Sequence, residues 1–222
     1  MPASSLTLSL PSGGTVAALL DSPSQPSACL ALAHGAGAGM EHPFLASLSQ
    51  ALCGRGVAVL RYQFPFMQQG SRRPDPPAVA QAAVRAAVAE AGRRFPALPL
   101  FAGGKSFGAR MSSQAQADDP LPGVRGLVFV GFPLHPAGQP GIARAAHLAR
   151  VKIPMLFLQG TRDTLADLEL VRQATAPLAP LATLHVVDGA DHAFHVLVRS
   201  GRNDDQVLQE LADATAAWMR ER

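Results

Sequence analysis

The sequence predicts a three-layer α/β sandwich, a mostly parallel sheet with helices on both faces. Three observations predict it. Unbroken apolar runs of four to six residues recur along the chain. Segments of helical spacing lie between them, and turns containing Gly or Pro join the two. A strand covered on both faces reads as a continuous apolar run, whereas a half-exposed strand alternates.

The first two stretches, residues 6–10 and 16–20, do alternate, and the turn Pro11-Ser12-Gly13-Gly14 between them predicts one antiparallel hairpin. Six unbroken runs follow, at residues 28–33, 57–62, 98–102, 127–130, 155–159 and 184–187, and these predict buried parallel strands. Helical spacing covers about 43–53, 78–93, 107–117, 143–150, 165–175 and 204–222, and Pro76-Pro77 is a favourable start for the second of these. Strand and helix alternating through right-handed crossovers stack helices on both faces of the sheet. Two longer loops rich in Pro and Gly, 64–77 and 132–141, are candidate walls of a binding site, because long loops in compact domains carry function.

Length and composition bound the function. A second core would leave each half of a 222-residue chain near the small end of the domain range, so one domain over 1–222 is expected. The chain is 48 % hydrophobic and 16 % charged, which excludes the polar composition of disordered proteins. Its net charge is +3 and its basic residues are almost all scattered arginines, so no stripe matches a nucleic-acid backbone. Cys29 and Cys53 are too few for a disulfide framework and are read as reduced structural thiols. The N-terminal stretch lacks a basic, apolar and small-residue leader pattern, and no apolar run is long enough to span a bilayer. A cytoplasmic protein with no membrane partner is expected.

Chemistry enters where the run 98–102 ends in Gly103-Gly104-Lys105-Ser106-Phe107-Gly108 and a helical pattern begins. This is G-x-S-x-G on a strand-to-helix turn, the context that gives the motif meaning. A serine on so sharp a turn is strained, and the flanking glycines remove β-carbons that would strike the neighbouring strand and helix. Ser106 is therefore the candidate nucleophile, and the N–H of Phe107 at the helix start is one donor for an oxyanion. Lys105 either projects to solvent or pairs with a buried carboxylate.

An alcohol needs a base, and the base needs a carboxylate to fix its tautomer. The run 155–159 leads into Gly160-Thr161-Arg162-Asp163, and 184–187 leads into Asp188-Gly189-Ala190-Asp191-His192. Both lie at the carboxyl edge of the sheet with Ser106, and open α/β sheets bind ligands at that edge. The chain order Ser106, Asp163, His192 is the order of this architecture and not that of the other two well-known triads. The rivals are His195 for the base and Asp167 for the carboxylate, each placed one helical turn further on. Asp191, His192 and His195 lack a second group at zinc-like spacing, so no metal is expected.

The second oxyanion donor is expected from His34-Gly35-Ala36-Gly37-Ala38-Gly39, after the run 28–33. The N–H of Ala36 is favoured, with Gly35 and Gly37 as neighbours. These glycines do not form G-x-G-x-x-G, no Lys-Ser or Lys-Thr pair follows, and no acidic residue ends the run 57–62, which speaks against a nucleotide loop. His34, Gly35, Gly37, Phe64, Phe66, Phe132 and Pro133 are the candidate substrate contacts.

His34-Gly35, Gly104-Lys105-Ser106-Phe107-Gly108-Ala109-Arg110, Gly131-Phe132-Pro133-Leu134-His135-Pro136, Gln159-Gly160-Thr161-Arg162-Asp163 and Asp191-His192 together resemble the α/β-hydrolase superfamily over nearly the whole chain. Within it the chain resembles a small dienelactone-hydrolase-like branch. That branch carries a G-K-S-x-G-x-R elbow and shares its domain with a subunit of an animal histone-acetyltransferase complex. The resemblance implies an eight-stranded, mostly parallel sheet, no metal or organic cofactor, and a triad of Ser106, Asp163 and His192. The short chain between Val130 and Asp163 leaves no room for the large cap that many of these proteins insert. A carboxylesterase acting on a small-molecule ester or acyl substrate is the leading expectation. The alternatives are a non-catalytic scaffold of the same fold and a thioesterase or acyltransferase. Oligomeric state is not legible in the sequence.

Overall fold

Eight strands form one sheet in the computed structural model, which describes residues 3–11 and 13–222. Met1, Pro2 and Ser12, the last within the predicted hairpin turn, lie outside the described residues. The strands in chain order are β1 (Ser4–Ser9), β2 (Thr15–Asp21), β3 (Ala28–Ala33), β4 (Val57–Tyr62), β5 (Leu100–Lys105), β6 (Val124–Val130), β7 (Met155–Gly160) and β8 (Ala182–Val187). Their spatial order is β1-β2-β4-β3-β5-β6-β7-β8. The β1–β2 and β2–β4 pairs are antiparallel, and the pairings from β4 across to β8 are parallel.

The helices are α1 (Pro43–Cys53), the single turn α2 (Pro65–Gln68), α3 (Pro77–Arg94), α4 (Phe107–Asp118), α5 (Leu168–Thr175) and α6 (Asp204–Arg220). Successive strand residues point to opposite faces, so each buried strand feeds two cores. On one face Leu45, Leu48 and Leu52 of α1, with Val207, Leu211 and Trp218 of α6, pack on Leu30, Leu32, Phe101 and Val128. On the other, the alanine-rich sides of α3 and α4 pack with Val171 of α5 on Ala31, Ala102 and Phe129. Proline opens α1 and α3. A capping box of Asn203 and Gln206 opens α6, satisfying donors that a helix start leaves free.

Four expectations are corrected. The β5 strand begins at Leu100 and continues through Gly103, Gly104 and Lys105, so it delivers the chain straight to Ser106. The run 184–187 is not covered on both faces, because β8 is the outermost strand and is half-buried over most of its length. The segment Ala143–Arg150 is 3-10 rather than α-helical. The helix expected from residue 165 begins at Leu168, because Asp167 caps it through hydrogen bonds from Glu169 N and Leu170 N, at 3.1 and 3.2 Å. Among the described residues, no helix is long and apolar enough to cross a membrane.

Two buried charges shape the edge that carries the site. Arg61, on the otherwise apolar β4, donates from Nη2 to Asp21 Oδ2 at 2.8 Å and from Nη1 to Met40 O at 2.7 Å. Ser49 Oγ donates to the same carboxylate oxygen at 2.6 Å. A buried ion pair persists only where further hydrogen bonds complete it, and here the arginine also fixes the loop after β3.

Two histidines are buried in the neutral state. Burial is the largest cause pushing both His34 and His147 down to about 4 from an ordinary 6.5. Between those values the unfolded chain binds protons that the folded chain does not, so stability is complete above about pH 6.5 and falls as pH drops toward 4. Urea midpoints across pH 4 to 8 should show this loss, with a slope of up to about 2.7 kcal/mol per pH unit when two protons are mismatched. His147→Leu should flatten it by about half. A slope unchanged in that variant would refute the assignment.

Candidate active site

Ser106 sits between β5 and α4 with φ 52° and ψ −111°, a left-handed conformation that costs a non-glycine residue on the order of 1–3 kcal/mol. The glycines around it permit the turn. A Cβ at Gly104 would lie 2.7 Å from Ala33 O, and one at Gly108 would lie 2.6 Å from Ala33 Cβ. Ser106 N donates to Val130 O at 3.1 Å, which ties the turn to the end of β6.

His192, in the loop after β8, faces the serine: its Nε2 is 2.8 Å from Ser106 Oγ and its Nδ1 is 2.7 Å from Asp163 Oδ2. A carboxylate only accepts, so the ring proton lies on Nδ1 and Nε2 is free to accept from the serine hydroxyl. Only 1 % of the Asp163 side chain is exposed, yet both its oxygens are satisfied. Oδ2 also accepts from Gln159 Nε2 at 2.5 Å, and Oδ1 accepts from Leu165 N at 2.8 Å. Gln159, which the sequence shows only as part of the Gln159–Asp163 motif with no role of its own, is an amide inside an apolar strand four residues before the carboxylate it holds. The rivals are engaged elsewhere. Asp167 caps α5, and His195 Nδ1 is 2.9 Å from Asp204 Oδ2. Asp191 Oδ1 accepts from Ala193 N and His195 N within its own loop.

Phe107 opens α4, so its N–H has no acceptor within the helix. Gly35 lies against the serine, 3.7 Å from Ser106 Cβ when a Cβ is placed on it. The loop that carries Gly35 and Ala36 is held at both ends. His34 donates from Nδ1 to Gly35 O at 2.7 Å and accepts at Nε2 from Phe64 N at 2.9 Å. Met40 is held by Arg61 at its carbonyl and by Gln63 Oε1 at its N–H, the latter at 2.9 Å. His135 repeats the first device, with Nδ1 on Pro136 O at 2.9 Å and Nε2 accepting from Asp167 N at 3.0 Å. It joins the loop after β6 to the loop that holds Asp163.

A cavity of about 740 Å³ opens over Ser106. His34, Gly35, Ala36 and Gly37 line it, and its remaining walls are Ala38 and Gly39, His42, Phe44 and Leu45 at the start of α1, Lys105 beside the serine, Arg162, Thr164 and Leu165, and Asp191 to Ala193. Phe64, Phe66, Phe132 and Pro133 are not among its lining residues. They are buried: Phe64 and Phe66 pack on Phe107 with centroids 5.2 and 6.0 Å apart, and Phe132 packs on Phe129 and Phe157. Edge-to-face contact fills that side of the sheet edge with rings, so the cavity opens on the other side. A groove of similar size between β8 and α6 lies away from the serine, and its His185 is already paired with Glu210 at 2.8 Å.

The family of alpha/beta hydrolase domains matches residues 26–220. Solved structures similar to this one include an alpha-beta serine hydrolase homologue from Coxiella burnetii (TM-score 0.77, 20% identity, 96% of this chain and 98% of that chain covered). A serine hydrolase without a lid from Xanthomonas campestris is also similar (0.75, 22%, 98% and 95%). So is a dienelactone hydrolase from Anabaena variabilis (0.77, 19%, 99% and 97%). At these identities the structures speak for the fold, an eight-stranded sheet without a large cap. The family match spans most of the chain, and the chain belongs to the alpha/beta hydrolase domain family.

Proposed function

We propose that this protein is a serine carboxylesterase whose triad is Ser106, His192 and Asp163. The observation that carries the reading is the continuous hydrogen-bonded line from Asp163 through His192 to Ser106 at the floor of an open cavity. In this reading Ser106 Oγ attacks the ester carbonyl as His192 Nε2 takes its proton, and Asp163 steadies the resulting imidazolium. The N–H groups of Phe107 and Ala36 hold the oxyanion. His192 then returns the proton to the leaving alcohol, and a water deprotonated by the same ring releases the acid from the acyl-serine. A cytoplasmic setting belongs to the same proposal, supported by Cys29 and Cys53 standing as free thiols.

A fluorophosphonate probe tests the reading directly. Wild type should label once, with the adduct mapped to Ser106 by mass spectrometry, and Ser106→Ala should not label. The labelled protein should lose its turnover of p-nitrophenyl esters. Folded wild type that neither labels nor turns over would leave a scaffold with the hydrolase fold.

A further inference from the structure

The triad does not account for Lys105, the residue between Gly104 and the nucleophile. Its side chain does not run to solvent. The Nζ donates a 2.6 Å hydrogen bond to the main-chain carbonyl of His192 and lies 5.5 Å from the centroid of the Phe194 ring. The same ammonium presses on the end of β6. A Cβ placed on Gly131 would come 3.2 Å from Lys105 Nζ, 3.5 Å from Phe194 Cε2 and 3.6 Å from His192 Cε1. One cation thus sits where the nucleophile turn, the end of β6 and the base loop meet.

The base loop has other tethers, but they lead elsewhere. Asp191 N donates to His195 O within the loop, Gly189 N donates to Thr161 Oγ1 beside the acid, and Val196 N donates to Asp204 Oδ1 on α6. Among the described residues, His192 itself makes three hydrogen bonds: ring to Asp163, ring to Ser106, and carbonyl from Lys105. The third fixes the peptide from which the ring hangs. Phe194, two residues on, holds φ 65°, a strained backbone that persists only where its surroundings enforce it.

We propose that Lys105 is a positioning residue for His192, clamping the base loop onto the nucleophile turn through the His192 carbonyl and the Phe194 ring. The proposal rests on the triad reading above. The charged and titratable groups facing the ammonium are Asp163 from the loop after β7 and Asp191 and His192 from the loop after β8. Burial pulls Lys105 down to about 8, while Asp163 and Asp191 oppose that shift, so the side chain is mostly a cation at neutral pH.

Lys105→Met removes donor and charge while keeping the length of the stem. On the proposal kcat falls about 10²-fold, the cost of misplacing a catalytic group by about 1 Å, and KM stays roughly unchanged. Lys105→Cys treated with bromoethylamine rebuilds the ammonium and should recover kcat, with wild type treated in parallel to account for Cys29 and Cys53. Lys105→Gln serves where the methionine variant does not fold. A folded variant with wild-type kcat overturns the proposal. So does a loss of kcat that aminoethylation does not recover, since a purely structural side chain would behave that way.

Failure of the hydrolase reading is told apart by the unlabelled wild type. In that event the downfield Nδ1 proton of His192, read by NMR, still decides. It should be sharp in wild type and lost to exchange in Lys105→Met, and an identical signal in both overturns the clamp.

Discussion

Ser106→Ala is expected to lower kcat by about 10⁶-fold while leaving the melting temperature within a few degrees of wild type. The magnitude follows from the proposed triad acting as one unit: without the hydroxyl, neither His192 nor Asp163 has a proton to move. His192→Ala should therefore cost about as much, and the double variant no more than either alone. Asp163→Asn should be milder, about 10⁴-fold, since it keeps the shape but lets the wrong ring nitrogen carry the proton. Single-turnover kinetics on one activated ester, with circular dichroism as the folding control, measures the series. Additive losses in the double variant would show that Ser106 and His192 do not work on the same step.

Gly103→Ala is expected to remove the fold at 37 °C. A Cβ there would stand 1.9 Å from Val128 O, 2.8 Å from Val128 C and 2.9 Å from Val128 N, all of them backbone. No side chain can swing aside to make room. β5 and β6 would have to part at the point where β5 hands the chain to Ser106, so the expected loss exceeds about 4 kcal/mol. Gly141→Ala is the matched control, because nothing lies within 4 Å of its added methyl, and it should fall within about 0.5 kcal/mol of wild type. Urea denaturation of both variants checks the pair. A folded Gly103→Ala of near-normal stability would mean that the strands are not in this register.

What could be read from the sequence was whatever depends on position along the chain. Ser106, Asp163 and His192 each follow a strand at its carboxyl end, so all three fall on one edge once β5, β7 and β8 lie parallel in one sheet. The start of α1 was equally legible, since Pro43 marks it. What depends on the path of a loop was not. An aromatic residue just after a strand can turn into a cavity or into a core with no change in composition, and Phe64, Phe66 and Phe132 take the core. The walls contributed by His42, Phe44 and Leu45 were hidden for a related reason, because which side of a short helix meets the sheet edge is settled in three dimensions. The outer position of β8 was hidden because strand order is not written in hydropathy. Gln159 was masked by the apolar run around it, and its purpose becomes visible only with Asp163 beside it.

The cavity over Ser106 has no cap between β6 and β7, and this bears on what would follow the first step of the proposed mechanism. No gate must open before a ligand arrives or a product departs, so encounter is a plain bimolecular collision and departure a plain escape. Bulk solvent has standing access to any group carried on the serine. Under the proposed mechanism an added alcohol or amine would have no sheltered compartment in which to outrun it, and an acyl group on Ser106 would be spent on water more often than handed to another acceptor.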